Sequence, residues 1–252
     1  MGRLNNRVAI VTGAAQGIGA AYAKAMAAEG ASVVVADRDD GQQVVDEIIK
    51  GGGTALNIVT DVSDETSCKA MAAQTIEAFG RIDILVNNAA LFGHLDAKPF
   101  EEISVDEWDA LMAVNVRGVF VAIKSVTGQM RKQQYGKIIN IASGTLFKGT
   151  PMLLHYVTSK GAVLAMTRCI SREVGDDNIC VNTLAPGLVM SENVLARDTF
   201  SDAGVDANTE TRALKRRQMP EDLTGAMIFL ASADSDFMTG QCVVVDGGSV
   251  NN

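Results

Sequence analysis

The 252-residue sequence predicts an α/β fold, a single doubly wound domain with a seven-stranded, mainly parallel sheet and helices on both faces. Three observations predict it. Seven short β-branched runs alternate with longer helix-like stretches along the whole chain. Most of these runs are continuously apolar, the pattern of strands covered on both faces. A glycine-rich turn joins the first run to the first helical stretch, where a βαβ unit has to turn sharply. No linker and no repeat of fixed period divides the sequence, so residues 1–252 read as one domain.

The elements follow in order. Val8–Val11 is the first strand, and a helix is expected over Gly17–Glu29. Ser32–Ala36 is the second strand, followed by a helix over Gln42–Lys50. Leu56–Val59 precedes a helix over Glu65–Phe79, whose start is marked by Ser63 and Asp64. After strand Ile84–Val86, Ser104 and Glu107 stand at capping-box spacing before a long helix over Asp106–Arg131. Strand Lys137–Ile141 leads to a helix over Tyr156–Val174, and strand Ile179–Leu184 follows. Leu188–Gln218 is polar with weak periodicity, which fits either a lid over the substrate or a pair of short helices. Pro220 opens a helix over Glu221–Ala231, and Val243–Val245 is the last strand.

Bulk properties narrow the function. Hydrophobic residues make up 47% and charged residues 21%, as in packed globular proteins. The net charge of -8 argues against nucleic acid as a partner. The basic cluster Arg212, Lys215, Arg216 and Arg217 reads as a solvated face or, more sharply, as a contact with an acidic group on a substrate or carrier. Cys68, Cys169, Cys180 and Cys242 form no CxxC pair, so they read as small core residues of a reducing compartment. The start of the chain lacks an apolar signal core, and no apolar run approaches a membrane span; the expected location is the cytoplasm, with no membrane partner. Two histidines without clustered carboxylates make a catalytic metal unexpected, and His155 reads as structural or as pocket rim.

The turn Thr12–Gly19 carries Gly13, Gln16, Gly17, Ile18 and Gly19. Its glycines let the backbone approach a pyrophosphate, whose charge then rests on a helix N-terminus. Asp37 ends the second strand 18 residues after Gly19, where a carboxylate accepts hydrogen bonds from an adenosine ribose. Such a carboxylate repels a 2′-phosphate, so NAD is the expected cofactor, with Arg38 as a neighbour that pairs with that phosphate or stacks on adenine. Asp61 and Val62, after the third strand, are placed to meet the adenine.

Tyr156 and Lys160 stand at i and i+4, on one face of a helix. Ser143 lies 13 residues before the tyrosine, at a strand end. Oxidising an alcohol removes a hydroxyl proton as hydride leaves carbon. A tyrosine with an ordinary pKa near 10 does this poorly, and a nearby ammonium favours its phenolate. Ser143 can hold the substrate oxygen by a hydrogen bond.

Taken with Asn87-Asn88-Ala89, Asn115, Pro186-Gly187 and the ending Gly240–Gly248, these motifs resemble the short-chain dehydrogenase/reductase family along the whole chain, including its NAD-preferring alcohol dehydrogenase-like members. The resemblance implies a Rossmann-type fold and a catalytic tetrad of Asn115, Ser143, Tyr156 and Lys160. Tyr156 would be the acid/base, Lys160 would also bind the nicotinamide ribose, and Asn115 would hold a water of a proton relay. Asn88 and Ala89 would meet the adenosine side of the cofactor. Pro186, Gly187, Val189 and Ser191 would border the nicotinamide, with Ser191 in place of the usual threonine. Ala90 stands where the family often has glycine. Homotetramers are common in the family.

His94, Leu146, Leu153 and Leu188 are expected to line the substrate pocket, making it mainly apolar. The function expected is therefore hydride transfer between NAD(H) and a small secondary alcohol or ketone with an apolar, aromatic or alicyclic body. The alternatives are an NADPH-dependent 3-oxoacyl-carrier-protein reductase and a non-catalytic dinucleotide sensor.

Overall fold

All six strand pairings are parallel, and they join seven strands in the order β3-β2-β1-β4-β5-β6-β7. The computed structural model describes residues 2–93, 95–195 and 202–250. The strands are β1 (Val8–Thr12), β2 (Ser32–Asp37), β3 (Thr54–Val59), β4 (Ile84–Asn87), β5 (Gly136–Ile141), β6 (Ile179–Pro186) and β7 (Cys242–Val245). β1, β4, β5 and β6 are buried throughout, which accounts for their unbroken apolar runs. Helices α1 (Gly17–Ala28), α2 (Gln42–Lys50) and α3 (Glu65–Phe79) connect the first four strands. Helices α4 (Val105–Met112) and α5 (Val119–Gln133) flank a π-helical turn over Ala113–Gly118. The rest are α6 (Thr145–Lys148), α7 (Leu154–Glu173), α8 (Glu192–Leu195), α9 (Asp202–Glu210) and α10 (Glu221–Ala231).

Two apolar clusters cover the two faces of the sheet. One joins α1, α2 and α10 to Ala9, Val11, Val33 and Val35. The other joins α3, α5 and α7 to Ile10, Val34, Leu85 and Ile138. Successive residues of one strand thus feed opposite clusters, as the pleat requires.

Local signals set several boundaries. Asp64, not Ser63, caps α3, accepting from the N–H groups of Thr66 and Ser67 at 3.1 Å. Ser104 caps α4 through the Glu107 N–H at 3.1 Å. Over Val105–Gln133 the helix is long and apolar enough to cross a membrane by length and composition alone. Its apolar residues Val119, Ala122, Ile123, Val126 and Met130 pack into the core instead. Among its described residues the segment 188–218 holds two short helices, α8 and α9; residues 196–201 lie outside the described residues. The cysteines are unpaired; Cys68 and Cys180 are buried as expected, whereas Cys169 is exposed.

Candidate active site

The strand order reverses between β1 and β4, and a crevice opens there at the carboxyl ends of the strands. It forms a cavity of about 430 Å³ lined by residues that follow β1 through β6. Gly13 and Gly17 both have positive φ, +64° and +59°, which lets the chain leave β1 and enter α1 within a few residues. Gly19 answers a different demand, since a Cβ there would stand 2.1 Å from the Gly13 carbonyl oxygen. The Asn88 side-chain amide fixes this turn, donating to the carbonyls of Thr12 and Gly13 at 3.0 and 2.9 Å. Gln16 gives α1 no side-chain cap, so the helix presents its first N–H groups without a side-chain acceptor. This cradle fits a pyrophosphate.

At the β2–β3 end, Asp37 Oδ2 accepts from the Ala15 N–H at 2.9 Å and Oδ1 from the Asp39 N–H at 3.1 Å. Each oxygen keeps acceptor capacity for a ribose hydroxyl. Asp61 Oδ1 accepts from the Ser63 N–H and hydroxyl at 2.8 and 2.7 Å, which holds its pKa below the usual carboxylate range. Arg38 lines the cavity and makes no hydrogen bond or ion pair among the described residues.

At the other end stand Ser143, Tyr156 and Lys160, all buried and all lining the cavity. Ser143 directly follows the short link after β5, while Tyr156 and Lys160 share a face of α7. Lys160 Nζ donates to the Ile141 carbonyl at 2.8 Å and lies 5.6 Å from the Tyr156 ring centroid. The Phe92 ring stands 4.8 Å from that of Tyr156. Without a ligand, burial pushes the Tyr156 phenol up to about 12, opposed by a hydrogen bond with Ser143. Burial likewise pulls Lys160 down to about 8. At Tyr156 desolvation therefore outweighs the Ser143 hydrogen bond.

A family model described as enoyl-(acyl carrier protein) reductase matches residues 13–250. The short-chain dehydrogenase/reductase eriH of Hericium erinaceus is 37% identical over 251 residues, covering 97% of this chain and 98% of its own length. The chain belongs to the short-chain dehydrogenase/reductase family. The cyclopentanol dehydrogenase of Comamonas sp. is 35% identical over 263 residues, covering 100% of both chains. A crystal structure from Beutenbergia cavernae, provisionally named an NAD(P)-dependent gluconate 5-dehydrogenase and holding NADP at low occupancy, superposes with a TM-score of 0.90. It is 36% identical and covers 98% of this chain and 97% of its own. As a short-chain dehydrogenase/reductase the chain is an oxidoreductase that uses a nicotinamide dinucleotide, NAD(P), on a small-molecule substrate.

Within this short-chain dehydrogenase/reductase, the cofactor residues expected from the sequence all line the cavity, from Gly13 to Ser191. Leu153 and Leu188 line it too. Leu146 does not: on the single turn of α6, Thr145 and Lys148 share the cavity face and Leu146 turns aside. His94 lies outside the described residues. Asn115 is fully buried off the cavity, in the π-helical turn. Its Oδ1 accepts from the Leu91 N–H at 2.8 Å, and its Nδ2 donates to the Leu91 carbonyl at 3.3 Å and to Ser159 Oγ at 3.2 Å. His155 is fully buried, with Nε2 3.4 Å from Glu107 Oε1. Arg212 corrects the reading of its cluster, for it is 3% exposed and lines the cavity, while Arg216 and Arg217 pair with Asp222 and Asp206 at the surface. Asn208, within the 188–218 segment expected to build the pocket, lines the cavity, whereas sequence reasoning missed Lys148, Asp246 and Ser249. The Asp246-Gly247-Gly248 ending was a signal of form, and nothing in it pointed to the cavity.

Proposed function

We propose that this enzyme is a single-domain, NAD-preferring alcohol dehydrogenase acting on a secondary alcohol or ketone with an apolar, aromatic or alicyclic body. The observation that carries the reading is the convergence of Ser143, Tyr156 and Lys160 on one cavity with the N-terminus of α1 and Asp37. A bound nicotinamide coenzyme takes or gives the hydride and, when oxidised, adds positive charge beside the phenol. Tyr156 gives its proton to the nascent alkoxide in reduction and takes it back in oxidation. Lys160 stands beside the phenol and favours its ionised form. Ser143 holds the substrate oxygen. Asn115 is assigned to a relay water beyond Lys160, through groups other than its amide N–H pair, which are committed to Leu91 and Ser159. Phe92, Leu153 and Leu188 contact the substrate body.

The NAD preference rests on Asp37, which repels a 2′-phosphate. Arg38, which makes no hydrogen bond or ion pair among the described residues, favours the second reading, an NADP-dependent enzyme. We further propose that 188–218 closes over the substrate and that the protein is a cytoplasmic homotetramer. Val105 and Phe120, 74% and 50% exposed on the long helix, support a subunit contact there. A monomer mass in solution would remove the tetramer. To test the function, the purified protein is mixed with NAD or NADP and a panel of secondary alcohols, and reduced nicotinamide is followed by absorbance. Turnover with NAD supports the reading; turnover with NADP alone overturns the assignment of Asp37.

A further inference from the structure

The two ends of the cavity differ in charge. Asp37, Asp39 and Asp61 line it beside β2 and β3, whereas Lys148 and Arg212 line it on the side of Ser143. Lys148 lies one turn beyond Thr145 on α6, so the two share a face. The Thr145 hydroxyl donates to Ser143 Oγ at 3.0 Å, which ties this helix to the serine that orients the substrate. Among the described residues Lys148 Nζ donates to neutral hydroxyls alone, Thr211 Oγ1 at 3.2 Å and Ser249 Oγ.

Arg212 is buried against the same end. Its NH1 donates to the Arg216 carbonyl at 2.8 Å, and its NH2 donates to the Leu188 carbonyl at 2.7 Å and to Asn208 Oδ1 at 3.1 Å. Its Nε has no partner among the described residues. Neither cation forms an ion pair with a carboxylate among the described residues. Asp246, the lining carboxylate on this side, has its oxygens engaged by the N–H groups of Gly248, Ser249 and Val250 at 3.0 Å. Burial lowers the Arg212 pKa, with attraction to Asp246 opposing it. A cation held in this way gains when an anion enters.

We propose that this end of the cavity binds a carboxylate carried by the substrate, with Lys148 making the contact and Arg212 supporting it from behind Leu188. The substrate class is then a hydroxy acid or oxo acid with an apolar or ring body, its carboxylate a few bonds from the reacting carbon, since a helical rise of only about 4.5 Å separates Thr145 from Lys148. Lys148 and Arg212, with Lys160 at the same end, outnumber Asp246 and leave a net positive charge that suits a carboxylate. The inference rests on the alcohol dehydrogenase reading of the same site.

The test is steady-state kinetics on a series of aromatic and alicyclic hydroxy acids, each paired with its methyl ester, for the wild type and Lys148→Gln. The wild type is expected to prefer the acid, and the acid-to-ester ratio of kcat/KM is expected to fall at least about tenfold in the variant, the factor for a charge-assisted hydrogen bond, with the loss in KM. Raising the salt concentration is expected to raise KM for the acid alone. Calorimetry of the oxo acid and its ester binding to Tyr156→Phe gives the same ratio without turnover. Preference for the ester, or an equal change for both partners, overturns the carboxylate site and leaves the dehydrogenase reading standing. Absence of turnover with acids, esters and neutral alcohols on either coenzyme removes that reading, and the inference with it.

Discussion

Lys160→Met is expected to stabilise the ligand-free protein at neutral pH, although it removes a residue placed in the catalytic machinery. Burial lowers the lysine pKa from its ordinary 10.5 to about 8. Each tenfold change in proton affinity is worth about 1.4 kcal/mol, so keeping the ammonium buried costs about 3 kcal/mol. Methionine removes that penalty and also the hydrogen bond to the Ile141 carbonyl, worth about 1 kcal/mol. The net gain expected at pH 7 is about 2 kcal/mol. Its pH dependence follows from linkage. The folded protein binds fewer protons than the unfolded chain between pH 8 and 10.5, so wild-type stability rises with pH across that window. The penalty is fully present below pH 8 and gone above 10.5. Tyr156 acts oppositely: its pKa is raised to about 12, and the stability it gives below pH 10 is lost toward pH 12. With that raised pKa the folded-state phenol keeps its proton through pH 10.5, so it adds little to the difference between the two proteins in that window. The assay is urea unfolding of both proteins at a series of pH values and one protein concentration. A gain that shrinks from pH 8 to 10.5 is the expected result. A difference that is constant with pH refutes the burial argument.

Asp37→Ser is expected to shift the ratio of kcat/KM for NADP over NAD at least about tenfold upward, because it removes the charge that repels a 2′-phosphate; an unchanged ratio contradicts the assignment. Gly19→Ala places a Cβ 2.1 Å from the Gly13 oxygen and 2.6 Å from Asn88 Nδ2, so a loss of about 1–3 kcal/mol and weaker coenzyme binding are expected by denaturation and calorimetry. Gly128→Ala, within α5 with nothing within 4 Å, is the control and is expected to stabilise by about 0.5–1 kcal/mol.

The sheet was legible because strands buried on both faces leave unbroken apolar runs, and β1, β4, β5 and β6 have them. Errors at strand ends were small. β6 runs on to Pro186 because that residue still pairs with Val245, a pairing its own side chain does not announce. The helix over Asp106–Arg131 read as continuous, and the π-helical turn that holds Asn115 left no mark in the apolar spacing. Residues that meet the cofactor cradle were legible because they cluster at strand ends within one βα turn each. The cationic end was not. Lys148 and Arg212 meet there only because α6 and the segment after α9 converge on Ser249, across a hundred residues of chain. Within a run of four basic residues, nothing local says that Arg212 alone turns inward.

Tyr156 is the group on which the account depends, and its replacement by phenylalanine is the most direct test. The variant keeps the ring beside Phe92 and loses only the hydroxyl that exchanges the proton. Coenzyme binding by calorimetry and turnover of a secondary alcohol by absorbance are measured on the same preparation. The account predicts binding within a few-fold of wild type and turnover reduced at least about a thousandfold, within the range that proton transfer by a positioned side chain contributes. Turnover near the wild-type rate in Tyr156→Phe would contradict it.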